Sequence, residues 1–332
     1  MVAILGCTAS GKSALAEAIA LEYNRIHHTM PTIMAVDSMQ VYRGMDIGTS
    51  KPPISIRQQI PHAMVDVVAP SESYSAAEFT QAAAPIIANH ECRQHPLIWV
   101  VGTILYFKAL TEGLFAGPSA DAAVREELNR EADERGTASL HQRLSHVDPL
   151  AAERIHPNDR RRLIRALEVH QITGQPISNL QRQWKTGRPN INFPMVLLDR
   201  PREEISQRIN RRAGQMINDG LVDEVRHLAA CKGGLSMQAA QAVGYKEIIE
   251  FLDGKCSLEE AVERIKINTR HLAKLQRTWL RRYHATMIVQ PTADRPLESI
   301  AADIIQALGW GLIGSRSGCP CVSGEKSAED RA

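Results

Sequence analysis

The 332-residue sequence has no excess of charge of either sign: 39 Lys and Arg stand against 37 Asp and Glu, a net +2 with histidine neutral. Such a chain has no overall attraction for polyanions, so any nucleic-acid surface must come from local clustering of cations. Its six cysteines, Cys7, Cys92, Cys231, Cys256, Cys319 and Cys321, lack zinc-like spacing, and Cys319-Pro320-Cys321 has no histidine or second pair nearby. No apolar run approaches membrane-spanning length, and the N-terminus has neither a basic segment nor a long apolar one. The expectation is a cytoplasmic protein with reduced thiols. There is no internal repeat and no long apolar seam, so a monomer is expected. A hydrophobic content of 44% with 23% charged residues is ordinary for a soluble globular chain, and the length admits one large or two modest domains.

What is present starts at Gly6-Cys7-Thr8-Ala9-Ser10-Gly11-Lys12-Ser13, a G-x4-G-K-S run. The apolar residues Val2 to Leu5 precede it and a helix-forming run, Ala14 to Ala20, follows, which is the strand–loop–helix order of a P-loop. Glycines let backbone N–H groups close around phosphate oxygens, the helix start adds positive dipole, Lys12 adds a point charge and Ser13 can ligate Mg²⁺. The loop is expected to hold a di- or triphosphate.

Further strands are expected at Thr32–Val36, Pro61–Val68, Pro96–Val101, Asn192–Asp199 and Thr286–Val289. Ser75 and Glu78 have capping-box spacing and open a helix to about Asn89. A long helix from Arg202 to about Ala230 is interrupted near Gly220. From Gly117 to about Arg182 only helical segments are evident, such as Ala122 to Arg135 and Asp159 to Ile172. The fold class is α/β: a P-loop NTPase-like core with a parallel sheet flanked by helices, and an inserted all-helical domain. The domains are residues 1–116 and 183–312 for the core, 117–182 for the insertion, and 313–332 for a disordered tail. In such a sheet ligands sit at the carboxyl ends of the strands, where the P-loop, Asp37 and Thr103 should converge.

Asp37 follows a strand beside the P-loop. It can be a metal-water ligand, a general base near the phosphates, or merely the head of an Asx turn. The strand Leu97–Val101 ends in Gly102-Thr103 without an acid, so the usual Walker-B aspartate is missing there. That absence argues against an NTP hydrolase and for a transferase whose phosphates are a leaving group. Arg270, Lys274, Arg277 and Arg281 fall on one helical stripe, with Ile265, Leu272, Leu275 and Trp279 opposite. Four cations without an acid favour a polyanion contact over a merely solvated face. The Arg160-Arg161-Arg162-Leu163-Ile164-Arg165 cluster, and Arg208 with Arg212, are either further contacts or helix decoration.

The stretches GCTASGKS, AVDSMQVYRGMDIGTSKP, VGTILYFKALTEGL, IHPNDRRRLIRALEVHQITGQPIS, GLVDEVRHL, QAVGYKEI and TRHLAKLQRTWLR run from residue 1 to about 285. Together they resemble the tRNA dimethylallyltransferases, also called tRNA isopentenyltransferases. The resemblance implies transfer of a dimethylallyl group from dimethylallyl diphosphate to N6 of the adenosine on the 3′ side of the anticodon. The tRNAs concerned read codons beginning with U. It implies that Gly6, Cys7, Thr8, Ala9, Ser10, Gly11, Lys12, Ser13 and Arg212 hold the diphosphate rather than ATP, with Mg²⁺ on Ser13. Asp37 matches the general base and Thr103 a contact to the target base. Contacts to tRNA are implied for Asp37, Ser38, Met39, Gln40, Thr103 and Arg125, and for Arg161, Arg162, Leu163, Ile164 and Arg165. They are also implied for Gln241, Ala242, Val243, Gly244, Tyr245 and Lys246, and for Lys274, Leu275, Gln276, Arg277, Thr278, Trp279, Leu280 and Arg281. Departures are Cys7 for a proline, Val101 for a second glycine, Ile104 for a smaller or flexible residue, and Leu275 for an arginine that would contact phosphate. A small-molecule kinase, an enzyme prenylating free AMP and a non-enzymatic tRNA-binding module are the competing readings.

Overall fold

The computed structural model describes residues 1–113, 117–118, 120–182, 193–292 and 294–310, so the expected tail, with Cys319 and Cys321, lies outside the described residues. The chain begins β1 Val2–Gly6, α1 Lys12–His27, β2 Thr32–Val36, α2 Ile54–Gln59, β3 His62–Ala63, α3 Ala76–Cys92, β4 Leu97–Val101 and α4 Ile104–Glu112. Helices follow: α5 Ala122–Arg135, α6 Thr137–Val147, α7 Pro149–Arg154, α8 Arg160–Thr173 and α9 Ile177–Arg182. The chain then runs β5 Met195–Leu198, α10 Arg202–Asn218, α11 Leu221–Ala230, α12 Met237–Ala240, α13 Tyr245–Leu252, α14 Leu258–Leu280, β6 Met287–Val289 and α15 Leu297–Ala307. Two compact units result, one of residues 1–107 with 192–332 and one of residues 108–191.

The first unit is a P-loop NTPase-like core, a six-stranded sheet in the order β3-β2-β4-β1-β5-β6 with every pairing parallel. Parallel strands buried on both faces need continuous apolar runs, and Val2 to Leu5 and Leu97 to Trp99 are almost fully buried. Against one face lie α1 and α15. Leu15, Ala16, Ile19, Ala20 and Tyr23 of α1 meet Ile300, Ala301, Ile304 and Ile305 of α15 in one core cluster. Each fully buried Leu or Ile there is worth about 1.5–3 kcal/mol.

Two expectations change. The strand expected over Pro61–Val68 is only His62–Ala63, because Met64 (φ 63°) and Asp66 (φ 56°) take left-handed conformations that end it. The chain then doubles back, and Val67 N donates to the Val41 carbonyl at 2.7 Å. On α14 the buried residues are Ala261, Ile265, Ala273, Gln276 and Leu280, whereas Leu272 and Leu275 are exposed. Its inner face is therefore rotated from the one the apolar stripe indicated. The interruption near Gly220 is present, with φ 98° separating α10 from α11.

The second unit is helical, its core formed by Leu128, Leu140, Leu144, Leu163, Leu167 and Val169 with their neighbours. Asp121, Asp148 and Asp159 cap α5, α7 and α8, each accepting from a backbone N–H in the first turn.

Candidate active site

The carboxyl ends of β1, β4 and β2, adjacent in the sheet, carry the phosphate loop, Gly102-Thr103 and Asp37. The loop's shape depends on its small residues. A Cβ on Gly6 would stand 2.7 Å from Ser10 Oγ and 3.1 Å from the Leu198 carbonyl, and Gly11 (φ 99°) takes a left-handed turn into α1. Lys12 is buried and donates from Nζ to the Cys7 carbonyl at 2.9 Å. Burial pushes its pKa from 10.5 down to about 8; Cys7 and Asp37 oppose the shift and Arg212 adds to it.

Three side chains from outside hold the loop's backbone. Thr8 N donates to Gln276 Oε1 at 2.7 Å, Arg208 Nε donates to the Ala9 carbonyl at 2.7 Å, and Arg200 Nε to the Ser10 carbonyl at 2.8 Å. Cys7 is buried against Ile205, Ile209 and Ala273, so the residue that departs from the family's proline is packed as a small hydrophobe.

Asp37 heads an Asx turn: Oδ1 accepts from Met39 N at 2.8 Å and from Gln40 N at 3.3 Å. The turn occupies one carboxylate oxygen only. The other, Oδ2, lies over Gly102, where an added Cβ would come within 2.0 Å of it. Gly102 N and Thr103 N both donate to the Val36 carbonyl, at 3.0 and 2.9 Å. Thr103 Oγ1 accepts from Ser38 N at 2.9 Å and donates to Ser38 Oγ at 3.0 Å, which ties the strand end to the Asp37 turn. Arg212 is half-buried; burial lowers its pKa while the charge of Asp37 raises it.

These groups line one cleft of about 1040 Å³. Thr8, Ala9, Gly11, Lys12, Ser13, Asp37 to Gln40, Gly102, Thr103, Arg208, Arg211, Arg212, Gln241 to Val243 and Gln276 all border it. Leu272, at the exposed margin of α14, and Met216 add apolar surface. Arg211, exposed at the cleft, was not singled out by the sequence; it lies next to Arg212 but outside the i, i+4 stripe that drew notice to Arg208. Glu224 was also missed. It accepts from Asp46 N at 3.0 Å, Ile47 N at 2.8 Å, Gly48 N at 3.3 Å and Tyr245 Oη at 2.5 Å, and so anchors the loop along one cleft wall.

The residues implied to touch tRNA fall into two groups. Gln241, Lys246, Lys274, Leu275, Thr278 and Arg281 are exposed, as are Arg161 and Arg162 in the helical unit. By contrast Ala242, Gly244, Tyr245, Gln276 and Leu280 are buried, as are Leu163 and Ile164. Their side chains are packed inside the protein, although Ala242 and Gln276 also border the cleft. Arg277 donates to the Arg200 carbonyl, and Trp279 lies under the Arg282 guanidinium at 4.4 Å. Arg125 and Arg165 are committed to the fully buried Glu168, at 2.8 and 2.6 Å. Burial alone would raise the Glu168 pKa, but hydrogen bonds from the two arginines hold it below the usual range.

Ser13, the second residue of α1, lies at the cleft edge, and among the described residues its hydroxyl has no protein partner. That chemistry fits a single oxygen ligand to Mg²⁺ whose other ligands come from phosphate and water. No group of three or more His, Cys, Asp or Glu able to hold a metal occurs among the described residues.

A family model described as IPP transferase matches residues 40–283. The tRNA dimethylallyltransferase of Geobacter metallireducens is 44% identical over 282 residues, covering 85% of this chain and 89% of that one. The full-length tRNA isopentenylpyrophosphate transferase of Bacillus halodurans is similar in structure, with a TM-score of 0.64 at 38% identity, over 93% of this chain and 96% of that one. A eukaryotic dimethylallyltransferase acting on tRNA has a TM-score of 0.65 at 27% identity, over 84% of this chain and 69% of that one. With the match spanning most of its length, and the phosphate loop and acidic turn at adjoining strand ends, the chain belongs to the IPP transferase family.

Proposed function

We propose that this protein transfers the dimethylallyl group of dimethylallyl diphosphate to N6 of the adenosine 3′-adjacent to the anticodon, in tRNAs reading codons that begin with U. The observation that carries the reading is the pairing, in one cleft, of a phosphate-binding loop with a carboxylate whose second oxygen is left outside its turn.

The chemistry follows from charge. An adenine amine is a weak nucleophile because its lone pair is delocalised into the ring. Asp37 accepts the N6 proton as nitrogen attacks the allylic carbon and the carbon–oxygen bond to diphosphate breaks. The departing diphosphate gains negative charge, which Lys12 of the loop and Arg212 of α10, both bordering the cleft, stabilise. Ser13 is the residue that would hold Mg²⁺, which when bound neutralises part of the diphosphate charge. The target base must leave its stack to reach the cleft, where Thr103 and Ser38 form the rim beside Asp37. The exposed cations Lys246, Lys274 and Arg281 in the first unit and, separately, Arg161 and Arg162 in the helical unit are proposed to meet the RNA backbone. The protein is proposed to act as a cytoplasmic monomer; among the described residues no helix is long and apolar enough to cross a membrane.

Incubation with labelled dimethylallyl diphosphate and total tRNA, AMP, or ATP with small acceptor alcohols separates the readings. Label in tRNA, at an adenosine beside the anticodon, is the expected result. Label in AMP alone, or phosphate transfer from ATP, overturns it.

A further inference from the structure

Gln276 sits in the middle of α14 with only 7% of its surface exposed, an unusual place for an amide. Both ends of the amide are used. Thr8 N–H can only donate and the Gly102 carbonyl can only accept, so the side chain has one satisfied orientation. Oε1 accepts from Thr8 at 2.7 Å, and Nε2 donates to Gly102 at 2.8 Å.

The two backbone groups it joins belong to opposite halves of the reaction. Thr8 lies in the phosphate loop, between Cys7, whose carbonyl receives Lys12, and Ala9, whose carbonyl receives Arg208. Gly102 lies under Asp37 Oδ2, and its own N–H is bonded to Val36, the residue before Asp37. The sheet does not make this connection. Pairing between β1 and β4 ends at Ile4 with Val100, two residues short of both Gly6 and Gly102. Above that point Gln276 bridges the two chains.

We propose that Gln276 is a positioning residue for the transfer step, its single amide setting the phosphate loop in register with the corner that carries Asp37. The proposal rests on the reading of the cleft as a prenyl-transfer site. It gives Gln276 an internal task, in place of the tRNA contact implied by resemblance. The nucleophile and the leaving group are held by different strand ends, and a displacement of about 1 Å between such groups can cost about 100-fold in rate.

The test is single-turnover prenylation of tRNA, with donor and enzyme saturating, for the parent, Gln276→Met and Gln276→Glu. Methionine keeps the shape and removes both bonds; glutamate keeps an acceptor for Thr8 N–H and loses the donor to Gly102. In both variants the rate constant is expected to fall about 100-fold, while the reaction amplitude and the tRNA Kd stay within about twofold. A role confined to stability lowers the amplitude, which counts folded protein, and leaves the rate constant alone; that result overturns the proposal. So does weakened tRNA binding at an unchanged rate constant, which marks a direct RNA contact. Should Gln276→Met fail to fold, Gln276→Glu carries the test. A parent protein that transfers nothing to tRNA refutes the underlying reading, and the proposal with it.

Discussion

Lys12 offers a quantitative check that the loop takes a diphosphate. Its ammonium is buried against the Cys7 carbonyl, and burial brings its pKa from 10.5 down to about 8. At pH 8 about half of the unliganded molecules therefore carry a neutral Lys12. Phosphate oxygens require the ammonium, so donor binding must draw a proton from solvent: about half a proton per site at pH 8 and about 0.9 at pH 9. Apparent donor affinity should fall about tenfold between pH 7 and pH 9. Phosphate groups with a second pKa of about 6 have already ionised in this range, so the proton is traceable to the protein. Stability has the matching sign. The unfolded chain keeps the lysine proton to about pH 10 and the folded one releases it near pH 8. The cost of charging Lys12, about 3 kcal/mol, is present below pH 8 and relieved as pH rises through the window. Calorimetric titration of an unreactive donor analogue, in two buffers of different ionisation enthalpy, measures the uptake directly. Affinity that stays flat from pH 7 to pH 9, with no proton taken up, refutes the assignment of Lys12 to the phosphate.

Four substitutions probe the rest. Asp37→Asn keeps the acceptor for Met39 N–H and loses the base, so turnover should drop by about 10² to 10⁴ while tRNA binding in a filter assay is retained. Gly102→Ala places a methyl 2.0 Å from Asp37 Oδ2, and displacing that carboxylate should cut single-turnover prenylation by about 100-fold at unchanged tRNA affinity. Glu224→Ala removes the acceptor for three successive amides, so hydrogen exchange at Asp46, Ile47 and Gly48 should accelerate while the protection of β1 and β4 is unaffected. Glu168→Ala removes the carboxylate from Arg125 and Arg165, the latter keeping its bond to the Pro118 carbonyl. Because both guanidiniums are partly in water, the loss should be about 2 kcal/mol in a denaturant titration rather than that of a fully buried pair.

The phosphate loop was readable because its requirements are local: glycines where a Cβ would collide or φ is positive, and a lysine at the start of a helix. The strand ends were readable for a similar reason, since buried parallel strands must be apolar and the polar residue that follows is conspicuous. The third strand was not. It stops because Met64 and Asp66 adopt left-handed angles; methionine gives no sign of that conformation, and aspartate, though enriched in it, adopts it only in a minority of cases. Helix α14 misled for a different reason. Hydrophobic periodicity assigns Leu272 and Leu275 to the interior, yet the buried position is taken by Gln276, whose amide is matched by two backbone groups more than a hundred residues away in the chain. Charge patterns have the same blind spot. A cluster of arginines reads as a polyanion surface until their partners are seen, and Arg125, Arg165 and Arg277 all turn to groups of the protein itself.

The end of β4 explains how a phosphate loop of ordinary construction serves a transferase. In hydrolases of this architecture an acid at such a strand end acts on the metal and its water. Here the position is Gly102, and its lack of a side chain is what gives Asp37 its room: any Cβ there meets Oδ2 at 2.0 Å. The acid can therefore stand on β2 or at the end of β4, but the two placements compete for the same space. With the carboxylate just past β2, its second oxygen lies over Gly102, in the cleft that Ser38 and Thr103 also border, where the proposed reaction needs a base. The glycine that stands where an acid was missing is the condition for the carboxylate proposed as the base.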